Sequence, residues 1–224
     1  MSRKIYSKIE KIQPEVPGNL ISSRSNFGTE LTTLLSTYDM KIPFVVTKCV
    51  AEIEARGLTV PCIYRIPGHV EQINAIRDAF EIDEDKTDLS HRRYPDIHAI
   101  SGTLKLFLIK LPTRLITSNV HSLLIDAIQQ KNLEIKVSLI KQALLSLPKA
   151  HYDTLKYVIE HLHRISLYAS INKMDAHCLA VTFSLYLLNV AEIHPSLPTL
   201  DITKEIEVTK TLIELCQCLF NCNK

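Results

Sequence analysis

Apolar residues recur at helical spacing along most of this chain. Leu31, Leu34 and Leu35 line one side of a short helix predicted over Phe27 to Tyr38. Val46, Val50 and Ile53 predict a second, which Pro43 can open because the first turn leaves its N–H groups unpaired anyway. Gly57 is placed to end that helix at its C′ position. Residues 58–69 then break the period, since Pro61, Pro67 and Gly68 exclude a regular helix. Val60, Ile63, Tyr64 and Ile66 are nevertheless apolar, so this loop is expected to be anchored in a core, with Arg65 as its strongly charged side chain. A helical stripe resumes at Val70, Ile73, Ile76 and Phe80, and residues 81–95, acidic and then basic, read as an exposed loop. Asp96 suits an N-cap for a helix striped by Ile97, Ile100, Leu104, Phe107 and Leu108, with Lys105 beside the stripe and Pro112 as the stop. Further helices are predicted near 118–130, 133–146 and 151–168, with Leu147-Pro148 between the last two. Another starts at Asn172-Lys173-Met174-Asp175 and runs through Leu179, Phe183 and Leu187. Pro195 and Pro198 precede a last helix, about 201–220, striped by Ile202, Ile206, Thr209, Ile213 and Leu219. No convincing alternating stretch and no repeat interrupts this series. The fold class is therefore all-α: one bundle domain of eight or nine helices over residues 25–222, preceded by a polar arm over residues 1–24.

Composition narrows the function classes. A chain of 224 residues suits one domain able to bury about 70% of its extended surface, so it needs no covalent staple. Lys plus Arg number 26 against 24 Asp plus Glu, and a net charge of +2 gives no support to nucleic-acid or membrane binding by bulk electrostatics. No apolar run is long enough for a transmembrane segment, and no apolar stretch follows Met1 to Tyr6 to make a signal peptide. The cysteines at 49, 62, 178, 216, 218 and 222 form no Cys-x-x-Cys pair and read as free thiols in a reducing compartment. Cys216, Cys218 and Cys222 do not share a helix face, nor do His161 and His163, so neither set is read as a metal site. Cys178 has no legible histidine–acid partner and reads as packing rather than a nucleophile. Arg92-Arg93 reads as a solvated pair, with electrostatic steering of a partner as the alternative.

An ordered set of short motifs carries more. Phe27-Gly28 is followed by Ile42-Pro43-x-x-Val46, Cys49-Val50 and Ile53-Glu54-x-x-Gly57-Leu58. Ile63-Tyr64-Arg65-Ile66-Pro67-Gly68 comes next, then Asp96-Ile97-His98, Gly102-x-Leu104-Lys105-x-Phe107-Leu108 and Leu111-Pro112. Leu147-Pro148 and Asn172-Lys173-Met174 with Leu179-Ala180-x-x-Phe183 complete the series. Taken together, over about residues 25–190, the chain resembles the GTPase-activating domains of the Rho family, in which a loop presents an arginine finger. The resemblance implies a helical domain, monomeric or in a 1:1 complex, that docks on a GTP-loaded Rho, Rac or Cdc42-type GTPase. It would have no cofactor or metal of its own, since GTP and magnesium belong to the partner. It would work in signal transduction in the cytoplasm, or in the cytoplasm of a target cell if the protein is secreted.

Under that resemblance Arg65 is the catalytic finger, and Lys105 matches the family lysine that bonds near the finger loop. Tyr64, Pro67, Asn172, Cys178 and Ile109 fall at the supporting or interface positions, with Asn172 expected at the start of the late helix as a cap. The chain also departs from the family pattern. Ile109 stands where an arginine usually braces the loop, and Cys178 where an asparagine usually faces the GTPase. Cys62 replaces a common glycine and Pro67 a common serine; Thr113-Arg114 and Ser184-Leu185 replace Glu-Pro and Gly-Pro. Two functions follow from the resemblance: an active GTPase-activating domain, or a weak or inactive relative that binds and sequesters the GTP-loaded GTPase. The retained Arg65 and Lys105 favour the first.

Overall fold

The helical periods fold as helices. In a computed structural model, which describes residues 25–38, 40–188 and 202–220, they are α1 (Leu31–Tyr38), α2 (Phe44–Arg56), α3 (Val70–Ile82), α4 (Ile97–Lys110), α5 (Ser118–Ile128) and α6 (Leu133–Leu145). They continue as α7 (Lys149–Ser166), a single turn α8 (Ala169–Asn172), α9 (Ala176–Leu187), α10 (Thr203–Glu214) and the short α11 (Cys216–Phe220). Nine of these have eight residues or more. Among the described residues the β content is one isolated parallel bridge, Ile116 with Leu188. The arm over 1–24, Pro195, Pro198 and Cys222 lie outside the described residues. No helix among the described residues is long and apolar enough to cross a membrane.

The central element is α4. Ile97, Ala99, Ile100, Leu104, Leu106, Phe107 and Leu108 are all buried, together with Ser101 and Thr103, and a helix apolar around most of its circumference belongs inside a bundle. It packs against α2, α3 and α9. The long helix α7 is strongly one-sided, burying Leu155, Val158, Ile159, Leu162 and Ile165 against α1, α2, α9 and α10. α2 and α9 each touch both α4 and α7, and the loop that leaves α2 bonds to the single turn before α9 through Cys62 and Asn172.

The boundaries differ from the sequence reading where polar side chains intervene. α1 begins four residues later than predicted, because Gly28 adopts a left-handed φ of 83° and the Glu81 carboxylate takes the N–H groups of Asn26 (2.7 Å) and Phe27 (3.0 Å). Gly57 ends α2, but as its C-cap with a right-handed φ of −110° rather than at the C′ position expected. The loop before α4 is tied down rather than free: Leu89 and Tyr94 are buried, and Arg56 donates to the carbonyls of Tyr94 (2.7 Å) and Pro95 (3.0 Å). The predicted last helix is broken at Leu215 into α10 and α11. Ile66, placed among the anchoring apolar residues of the loop, and Val70, placed in the apolar stripe of the next helix, are half exposed at 44% and 51%.

Candidate functional site

The loop between α2 and α3 carries unusual backbone. Cys62 (φ 56°) and Tyr64 (φ 72°) are both left-handed although neither is glycine, a conformation that costs about 1–3 kcal/mol per residue and persists only when its surroundings over-determine it. Arg65 follows directly, and its residue is exposed.

Several groups supply that over-determination. The Cys62 carbonyl accepts from the N–H groups of Arg65 (2.9 Å) and Ile66 (3.0 Å), closing a tight turn on the arginine. The Cys62 N–H donates to the Asn172 carbonyl at 2.7 Å. The Asn172 side chain, fully buried, donates to the Leu58 carbonyl (2.8 Å) and the Ile165 carbonyl (2.9 Å) and accepts from the Met174 N–H (2.8 Å). It therefore clamps the loop to the end of α7. It is not the cap of α9, a role taken by Asp175, whose carboxylate accepts from the Cys178 N–H at 2.7 Å. Lys105, rising from α4, donates to the Tyr64 carbonyl at 2.6 Å. Burial pushes the Lys105 ammonium down to about 8, so the structure keeps a cation where desolvation opposes it.

Tyr64 is the anchor. Its ring is wholly buried, edge-on to Phe183 of α9 (4.8 Å between centroids) and to His161 of α7 (5.8 Å). Its hydroxyl meets His161 Nε2 at 2.6 Å, and His161 Nδ1 meets the Glu54 carboxylate at 2.7 Å. Arg164 donates to the same Glu54 oxygen at 2.7 Å. Burial alone would raise Glu54, but the hydrogen bonds from His161 and Arg164 prevail and hold its carboxyl below the usual range. Burial pushes the His161 imidazolium down, against the pull of Glu54, and pushes the Tyr64 hydroxyl well up. The neutral chain is fully satisfied in one direction only. Arg164 and the His161 Nδ1–H donate to Glu54, and the Tyr64 hydroxyl donates to Nε2.

The other end of the loop is set by steric closeness. A Cβ at Gly68 would lie 2.3 Å from the Ala99 nitrogen and 2.4 Å from the His98 carbonyl carbon, so only glycine fits against the first turn of α4. Asp96, the expected N-cap, accepts from the His98 N–H (2.9 Å) and from the His69 N–H (3.3 Å), tying the starts of α4 and α3 together.

The structure thus brings Tyr64, Lys105 and Asn172 together behind Arg65, while Pro67 is exposed on the loop surface. Cys178, partly exposed on the first turn of α9, is near enough for the Arg65 charge to act on its thiol. Burial and the Asp175 carboxylate still push that thiol up, which suits packing rather than nucleophilic attack. Ile109 is half-buried on α4. Glu54, His161 and Arg164 were not legible as site residues. Glu54 stands over a hundred positions from the other two in sequence, and their polar contact depends on α2 packing against α7. His163 is turned elsewhere, its Nδ1–H donating to the Ile213 carbonyl at 3.0 Å.

The described residues thus form an all-helical bundle that presents Arg65 on a strained, buttressed loop. Residues 43–192 match the RhoGAP domain, and the chain belongs to that family, whose domains act on Rho-family GTPases. It is 36% identical over 192 residues to beta-chimaerin of Mus musculus, covering 85% of this chain and 58% of that protein. It is 35% identical over 217 residues to N-chimaerin of Rattus norvegicus, covering 96% of this chain and 65% of that protein. The chain thus spans about three fifths of these relatives' length. Among solved structures, human Rho GTPase activating protein 15 superposes with a TM-score of 0.81 at 25% identity, covering 88% of this chain and 93% of that one. The BH domain from Graf, the GTPase regulator associated with focal adhesion kinase, gives 0.69 at 26% identity over 79% and 93%.

Proposed function

We propose that this chain stimulates GTP hydrolysis by a GTP-loaded Rho-family GTPase, in a 1:1 complex, by inserting Arg65 into the partner's nucleotide site. Hydrolysis spreads negative charge over the oxygens around the transferred phosphoryl group. A guanidinium is always protonated and offers donors in a fixed fork, so it stabilises that charge without proton transfer. Such a finger is worth about 10³–10⁵ in rate, which at 1.36 kcal/mol per decade is roughly 4–7 kcal/mol. Magnesium, nucleotide and the attacking water are held by the GTPase; this chain contributes the cation, its orientation and the exclusion of solvent.

One observation carries this reading: an exposed arginine whose preceding residue is locked from both sides, by Lys105 at its carbonyl and by His161 at its side chain. An exposed arginine serving only solubility has no use for two left-handed neighbours. The competing reading, binding without stimulation, rests on Ile109 and Cys178, where the family pattern has arginine and asparagine. Bracing by Asn172, Lys105 and Tyr64 answers the loss at 109 and favours stimulation. Single-turnover GTP hydrolysis by Rac-, Cdc42- and Rho-type GTPases tests it. At least ~10²-fold stimulation that Arg65→Ala abolishes is expected. Binding of the GTP-loaded form without any rate gain would establish sequestration instead.

A further inference from the structure

We infer that Glu54, His161 and Arg164 form a hydrogen-bonded relay that positions Arg65 through Tyr64, making His161 and Glu54 positioning residues for the stimulated reaction. This rests on the function proposed above and names parts of the site that no motif assigns.

The chain of contacts is continuous and directional. Arg164 fixes the Glu54 carboxylate (2.7 Å), the carboxylate fixes the His161 Nδ1–H tautomer (2.7 Å), and Nε2 then accepts the Tyr64 hydroxyl (2.6 Å). Tyr64 precedes Arg65 and sits at φ 72°, a conformation that a bulky residue leaves unless something holds it. Its ring packing against Phe183 fixes where the side chain lies, but a ring alone can rotate and slide. The hydroxyl bond to His161 removes that freedom, and Lys105 holds the carbonyl at the other side of the same residue. Tyr64 is thus gripped at both ends, and the arginine departs from a fixed point. His161 is wholly buried, so no water is on hand to replace a lost partner. Glu54 belongs to α2 and His161 to α7, so the relay makes the pose of the arginine depend on two helices that do not carry it. The role asks of residue 161 one donor toward Glu54, one acceptor toward Tyr64, and nothing else.

Two readouts on the intact chain test this: the plateau rate of GTPase stimulation at saturating chain, and the rate at which trypsin cuts the Arg65–Ile66 bond, followed by mass spectrometry. Tyr64→Phe keeps the ring and removes only the hydroxyl. His161→Leu removes both polar functions, whereas His161→Gln keeps one donor and one acceptor. Tyr64→Phe and His161→Leu are expected to lower the plateau rate about tenfold with little change in half-saturation, and to speed cleavage at Arg65–Ile66 by a similar factor. His161→Gln is expected to retain both within about threefold of the parent chain. If His161→Leu does not fold, Tyr64→Phe decides alone. Wild-type rate and cleavage in Tyr64→Phe overturn the inference. So does a change in only one of the two, because the relay is claimed to act on the reaction through loop order. A loss confined to half-saturation overturns it as well, by assigning the residues to docking. Should the parent chain fail to stimulate any GTPase, the proposed function falls, and the cleavage comparison still upholds or overturns the relay.

Discussion

Gly68→Ala is the sharpest perturbation the fold offers. The added Cβ would stand 2.3 Å from the Ala99 nitrogen, 2.4 Å from the His98 carbonyl carbon and 2.5 Å from Ala99 Cα, where ordinary contact begins at 3.4 Å. About 1 Å of separation must therefore be found. The obstructing atoms are backbone in the first turn of α4, whose apolar residues fill the core, so the helix cannot retreat. The loop must move, and Pro67, with its φ held by the ring, passes the shift stiffly toward Arg65. A displacement of about 1 Å at a catalytic group costs about 10²-fold in rate, or close to 2.7 kcal/mol of transition-state stabilisation. The cost to folding is the ordinary one for overpacking, about 1–3 kcal/mol. The measurement is single-turnover hydrolysis at saturating Gly68→Ala chain, with the thermal midpoint recorded beside it. Gly102→Ala is the control, since its Cβ would meet the mobile end of Ile73 at 2.6 Å, and that side chain can give way. Stimulation by Gly68→Ala within about threefold of the parent, in a folded chain, would refute the claim that loop placement limits the rate.

Three further outcomes are expected. Asn172→Ala strips partners from the Leu58 and Ile165 carbonyls and the Met174 N–H, and at about 1 kcal/mol per bond should cost about 3 kcal/mol in a urea titration; an unchanged midpoint would contradict the clamp. Lys105 is pushed down to about 8, so the folded chain releases this proton between about pH 8 and the ordinary value of 10.5 while the unfolded chain keeps it. Its contribution to stability therefore rises with pH through that window, but the ratio of stimulated to intrinsic hydrolysis should fall above about pH 8 as the charge beside the loop is lost, a fall absent in Lys105→Met. His161 and Glu54 are both held below their ordinary values of 6.5 and 4.5, so their contribution is complete above pH 6.5 and is lost as acid protonates them. Denaturant midpoints should drop from pH 7.5 toward pH 5 in a way His161→Gln flattens, since glutamine has no proton to gain.

Much of the bundle could be read in advance because its signals are local. The stripe Ile97, Ile100, Leu104, Phe107 and Leu108, the cap at Asp96 and the stop before Pro112 lie within one helix and its ends, and each holds in the structure. The loop over residues 58–69 was legible as an anchored break because Ile63 and Tyr64 are apolar beside two prolines. What escaped depends on contacts made only after helices pack. Nothing in the residues around Glu81 says that its carboxylate will collect the N–H groups of Asn26 and Phe27 and so delay α1. Nothing around His161 says that its neighbours will be Tyr64 and Glu54. The i, i+2 spacing to His163 is silent about what each ring bonds to.

The departure at Ile109 bears on which elements a buttressed loop needs. An arginine there would add one more donor from α4, the helix that already supplies Lys105 to the Tyr64 carbonyl. Two further restraints come from other elements, Asn172 from the turn before α9 and His161 from α7, while Gly68 meets α4 at its far end, the first turn. Restraints from separate elements each block a different motion of the loop, whereas two from one helix largely block the same one. Losing the second donor of α4 therefore removes redundancy more than it removes a degree of control. By the same reasoning Asn172 and His161 are not interchangeable with anything else in the fold, and their replacement should cost more than restoring an arginine at 109 would gain.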